Sequence, residues 1–116
     1  MKELINMTPH DVVVVDENNN VIVTIKPCGV IPRVEQRTKK LGTKSYTVDG
    51  KIYEISESEN EYGEVIGLPD YDESKLLIVS RQTADAVKDR TDLRVPNETI
   101  RNDKGQIIGC QSIAIV

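Results

Sequence analysis

Short runs of branched aliphatic residues, separated by clusters of turn-forming residues, organise most of this chain. Val12-Val13-Val14-Val15 reads as a strand, and Val21 to Lys26 resumes with β-branched residues. Between them, Asp16-Glu17-Asn18-Asn19-Asn20 supplies side chains that tolerate left-handed backbone and bond their own main chain. The pattern predicts a β-hairpin with a longer loop. Upstream, Leu4 to Met7 is a short lead-in closed by Thr8-Pro9-His10-Asp11, whose proline restricts Thr8 to extended geometry. Downstream, Pro27-Cys28-Gly29 breaks the pattern, and Val30 to Val34 reads as an extended edge because Pro32 has no N–H to give to a ladder.

The firmest local signal is Asp49-Gly50, the pair preferred in a type I′ turn, flanked by Ser45 to Val48 and Lys51 to Ile55. A hairpin there brings Tyr46 and Tyr53 close across or near the strands, where packing is the plain reading for both rings. Ser56 to Tyr62 is polar and acidic and reads as a loop. Gly63 to Leu68 is a strand with glycine near each end, and Pro69 to Glu73 is a turn. Leu76 to Ser80 is an apolar strand that opens directly into a helix from about Arg81 to Asp89, with Ser80 as N-cap and Lys88 near its negative end. Pro96 forbids continuation. Thr99 to Asn102 starts another strand, Asp103-Lys104-Gly105 turns, and Gln106 to Val116 is the last strand. The pattern predicts a mainly β fold, a small antiparallel barrel or curved sheet with one short helix, in a single domain spanning 1–116.

Composition sharpens this picture. The chain has 116 residues, no Phe, no Trp and four Tyr. A core built from Val and Ile favours pleated surfaces over helices. The formal charge of −4 argues against unaided binding to nucleic-acid backbones or anionic membranes. Sign is unevenly spread: Arg33 to Lys44 holds five bases and one acid, and Glu54 to Glu73 holds eight acids and no base. Solvated loop and strand faces are the plain reading of both runs. No signal-peptide pattern and no long apolar run is present, so a cytoplasmic, membrane-free protein is expected. Cys28 and Cys110 are then expected to be reduced and buried, with no metal site and no cofactor.

Candidate chemistry centres on the strand-to-helix junction. Unpaired N–H groups and the helix dipole at Ser80-Arg81 suit an anion, and Arg90, Arg94 and Arg101 follow closely. Arg90 offers a planar fork to phosphate or carboxylate, or alternatively pairs with Asp92 as part of a loop tied down by charges that include Asp89 and Arg94. Thr8 and His10 are a structural turn with a polar rim, and less readily the edge of a binding pocket. A His10–Cys110 dyad is a minor alternative, because nothing around Cys110 marks an activated thiolate. Glycines form no phosphate-binding loop of nucleotide hydrolases.

Taken together, INMTPHDVVVVDENNNVI, YGEVIGLP and LLIVSRQTADAVKDRTDLRVPNETIRNDKGQIIGC resemble a family of small proteins of uncharacterised function encoded by bacteriophages and prophages. The segment from Arg33 to Glu61 adds little to the resemblance. It implies an accessory or anti-defence factor without turnover, such as a sponge for a small phosphorylated, nucleotide-like messenger. Thr8, His10, Ser80, Arg81, Arg90 and Arg101 would line its ligand site, and Tyr46, Tyr53, Tyr62 or Tyr71 would stack on a base. A sponge of this size is expected to be a homo-oligomer, since a small domain makes a deep pocket most easily between subunits. Two alternatives stand beside it: an inhibitor that binds a host protein through the acidic segment, and a structural or morphogenetic phage component that uses sheet edges.

Overall fold

The computed structural model describes residues 1–87 and 89–116 and is mainly β, as the hydrophobic pattern predicts. In chain order the elements are β1 (Glu3–Asn6), β2 (Val12–Val15), β3 (Val21–Ile25), β4 (Arg33–Val48), β5 (Lys51–Ile66), β6 (Lys75–Ile78), α1 (Arg81–Ala86), β7 (Leu93–Arg101) and β8 (Ile107–Ile115). They form two sheets. Six strands in the order β1-β6-β7-β8-β2-β3 make the body, and β4 and β5 make a separate two-stranded sheet.

The body sheet is mixed rather than antiparallel. β1 runs parallel to β6, β6 to β7 and β2 to β8, whereas β2–β3 and β7–β8 are antiparallel hairpin pairs. Parallel neighbours need long connections: α1 lies in the one from β6 to β7, and the whole second sheet lies in the stretch between β1 and β6. The lead-in at Leu4–Met7 is in fact strand β1, whose register places Leu4 beside Leu76 and Ile5 beside Leu77. No closed barrel forms. The outer strands nevertheless approach at one point, where Asn6 bridges Pro27 and the Cys28 N–H donates to the Asn6 carbonyl at 2.8 Å.

Apolar residues on β6 and its continuation alternate between two cores, which explains their unbroken run in the sequence. Leu77 and Val79 pack with Met7, Ala84, Leu93 and Val95 beneath the helix, whereas Ile78 packs with Val12 and Cys110 on the opposite face. Ser80 caps α1 as expected, its Oγ accepting from the Thr83 N–H at 3.3 Å. The helix ends at Ala86, short of Asp89, because Val87 takes an extended conformation; the expectation for Lys88 lies outside the described residues. Pro96 sits inside β7 rather than ending an element. β6 pairs with β7 only at Leu93 and Arg94, so the side of β7 away from β8 has no strand partner at Pro96, and its missing N–H interrupts nothing there.

The largest departure from the sequence-based expectation is the second sheet. The predicted hairpin is present, with Val48 opposite Lys51, Tyr46 opposite Tyr53, and positive φ at both Asp49 and Gly50. It does not stop at Ser45 and Ile55. Pairing continues through the segment expected to be an acidic loop, Ser56 to Tyr62, and through the basic run from Arg33, until each strand is 16 residues long. At about 3.3 Å per residue each strand spans roughly 50 Å. The radius of gyration of 18.7 Å exceeds the ~13 Å of a compact domain of this length, as a projecting arm requires.

Candidate functional site

Of the arginines near the proposed phosphate site, Arg90, Arg94 and Arg101 are engaged by the protein itself. Arg90 grips Asp92 with two parallel bonds, Nε to Oδ1 at 2.8 Å and Nη2 to Oδ2 at 2.6 Å, and its Nη1 donates to the Pro69 carbonyl at 2.8 Å. Asp92 is 2% exposed, and the Arg90 guanidinium, chiefly through its hydrogen bonds, holds its carboxyl below the usual range. The fork expected to face a ligand is therefore a structural clamp that ties the Pro69 turn to the start of β7. Arg94 donates to the carbonyls of Thr91 and Leu93, and Arg101 donates to Gly105 across the β7–β8 turn.

The junction at Ser80 and Arg81 exists, but α1 has only six residues, and the Ser80 hydroxyl is spent on the cap. Thr8 and His10 belong to a different arrangement, centred on Asn6. The fully buried Asn6 side chain donates to the carbonyls of His10 and Ile25, and its Oδ1 accepts from the Thr8 N–H at 2.9 Å and lies 2.6 Å from the Thr8 hydroxyl. All its bonding capacity is used to fasten the β1–β2 connection to β3. This junction escaped the sequence reading because a lone asparagine beside a proline turn carries no distinctive spacing.

Of the six proposed ligand residues, Thr8 and Ser80 line one common cavity, about 470 Å³, with Arg33 and Gln82 also on its wall. Arg81, Arg90, Arg101 and His10 are not among its lining residues. A larger cleft of about 600 Å³ opens between Ile5, Met7, Val30 and Leu68, and its polar rim contains Asp70, Asp72 and Asp92 with Lys75. Acidic side chains at the rim disfavour phosphate there.

The two cysteines divide. Cys110 is buried as expected: burial pushes its thiol up from the ordinary value, and its Sγ lies 3.6 Å from the Val13 carbonyl, so it is held as the protonated thiol. Cys28 is exposed, contrary to expectation, in the segment that follows β3, where its Sγ lies 3.5 Å from the Val30 carbonyl. Among the described residues no group of three or more His, Cys, Asp or Glu side chains is placed to hold a metal ion. Among them also, no helix is long and apolar enough to cross a membrane.

The arm presents a different kind of surface. Its register places Lys44, Tyr46 and Val48 on one face with Lys51, Tyr53 and Ile55, and Thr43, Ser45 and Thr47 on the other with Ile52, Glu54 and Ser56. Leu41, Tyr46, Val48, Ile52, Tyr53, Ile55, Tyr62 and Ile66 are all exposed, Ile52 at 75%. The helix seats the base of the arm: Gln82 Nε2 donates to Gln36 Oε1 at 3.1 Å, and Tyr62, Ala84, Asp85 and Val87 line a shared hollow. Gly63 allows the strands to approach there, where a Cβ would stand 3.2 Å from that of Glu35. The arm was signalled in the sequence by symmetry about Asp49-Gly50. Extending the hairpin outward sets Lys39 opposite Glu59 and Arg37 opposite Glu61, so the basic run and the first five acids of the acidic run lie on the two strands of one ladder.

The chain matches no protein-family model, no curated protein and no solved structure.

Proposed function

We propose that this protein is a non-catalytic interaction module in which the six-stranded body holds out the β4–β5 arm to contact another protein chain. One observation carries the reading: a two-stranded sheet 16 residues long exposes eight large apolar side chains and pairs with no strand of the body. An isolated two-stranded hairpin is marginal in water, and exposed apolar side chains grouped on one face, as Tyr46, Val48, Tyr53 and Ile55 are, mark a surface that is covered in use. Among the roles implied by the resemblance to phage-encoded proteins, a structural component or a protein-binding inhibitor uses this feature directly. Sequestration of a phosphorylated messenger has less support, since Arg90 and Arg101 are bonded within the protein.

The test is a shortened arm in which residues 41–57 are replaced by Asp-Gly, joining the paired positions Lys40 and Ser58. The body should unfold at a temperature within a few degrees of the parent, while protein cross-links formed through Lys39 and Lys40 disappear. Unchanged protein association after shortening would defeat the reading. So would specific binding of a nucleotide in calorimetry that is retained without the arm and lost on Arg33→Ala.

A further inference from the structure

The two strands of the arm carry opposite charge. β4 holds five bases against Glu35 alone, and β5 holds five acids against Lys51 alone. Each strand uses one edge for the other and leaves an outer edge on which, among the described residues, no strand lies. Long open edges are ordinarily blunted by proline or by shortness; neither strand contains proline, and both run for 16 residues. The register shifts at Val34/Gln36 and Lys40/Gly42 interrupt the strands only locally, which leaves charge sign as the control along the rest of the edges. Two β4 edges brought together face base with base, and two β5 edges face acid with acid, both unfavourable. A β5 edge against the β4 edge of another copy, in the register of the inner ladder, faces acid with base at Glu59 and Glu61. That is the arrangement already present inside the arm, where Glu61 stands opposite Arg37 and Glu59 opposite Lys39. Two arms pointing the same way set β5 of one antiparallel to β4 of the next, so the inner ladder repeats across the junction.

We propose that the arm pairs with the arm of a second copy of this chain, β5 edge to β4 edge, extending the two-stranded sheet. This rests on the reading of the arm as the interaction element and names its partner. The joined edges are different, so the contact is heterologous. Each added copy leaves one β4 edge and one β5 edge free, and growth ends in a ring or continues as a filament rather than stopping at a two-fold dimer. Extension beyond two strands also supplies the stability that a lone hairpin lacks.

Light scattering over a concentration series tests this with three chains. The parent should exceed the mass of a single chain. Arg37→Glu/Lys39→Glu, which sets acid opposite acid at both register pairs, should fall to that mass with the body's unfolding transition retained. Arg37→Glu/Lys39→Glu/Glu59→Lys/Glu61→Arg exchanges the two register pairs and restores acid–base facing within and between like copies. It should regain the parent's mass, yet exchange subunits with labelled parent roughly tenfold less than with itself, because mixed junctions set like charges opposite each other. Free exchange of the fourfold variant with the parent would overturn the proposal, as would assembly that survives in the double variant. A parent that stays a single chain at millimolar concentration would also overturn it. If the arm then still cross-linked to a different protein, the interaction reading would stand and only its partner would be wrong.

Discussion

β6 in the body is four residues long and ends in Leu77 and Ile78, which are 2% and 0% exposed; β5 in the arm is sixteen residues long, and only Glu57 and Val65 are even partly covered. The body strand is held by what lies above and below it, with one core under the helix and another on the opposite face. The arm strand is held by what lies beside it: a type I′ turn, the Tyr46–Tyr53 pair and facing charges. Cross-strand pairs of this kind contribute roughly 0.2–1 kcal/mol each, while full burial of one aliphatic side chain contributes about 1.5–3 kcal/mol. Stability therefore belongs to the body and, on the proposed function, recognition to the arm, and substitutions in the two regions should separate those properties.

The largest effect is expected from Arg90→Ala. It leaves the Asp92 carboxylate buried without its partner and the Pro69 turn unanchored, at a cost of about 3 kcal/mol, read as a lowered urea midpoint. The same pair predicts a pH signature. Asp92 has its folded pKa lowered, first by hydrogen bonding to Arg90. The stability it contributes is thus complete above the unfolded value near 3.9 and is lost as pH falls through the lower folded value. In Arg90→Ala, burial without a cation raises the Asp92 pKa instead, so stability should increase as pH falls from neutral toward 4. The gap between the two chains should narrow over that range; a constant gap would mean that Asp92 is not the group responsible.

Asn6→Ala comes next, at about 2 kcal/mol, because it removes a buried side chain that bonds the Thr8 N–H and the carbonyls of His10 and Ile25. Hydrogen exchange should quicken first at the Cys28 amide, which bonds to the Asn6 carbonyl. Cys110→Ala should cost about 1–2 kcal/mol through lost burial. The smallest effect belongs to the arm: Ile52→Ser, at 75% exposure, should change stability by less than ~0.5 kcal/mol while weakening association. A body-sized loss there would erase the distinction between the two regions.

Local chemistry made much of this readable. The loop at Asp16–Asn20 forms as its composition implies, with Asp16 accepting from the amides of Asn18 and Asn20 and Asn19 at positive φ. Ser80 caps the helix, and Asp49-Gly50 makes its turn. The proposed site was less readable. Arg90 and Asp92 were both visible as candidates for pairing, but whether the guanidinium faces a ligand or a carboxylate depends on the burial of Asp92, a property of packing around β7 that spacing does not carry.

Residue types and their order determined a strand-rich chain of branched aliphatics with one short capped helix and a hairpin centred on Asp49-Gly50, because those preferences act within a few residues. Tertiary structure decided the parallel docking of β1 on β6 and of β2 on β8, since pairing strands tens of residues apart depends on which faces must be buried together. It also decided that the basic run and the acids from Glu54 to Glu64 lie on opposite strands of one arm. Each run alone is a solvated polar segment, and only pairing across the turn brings base opposite acid along the arm.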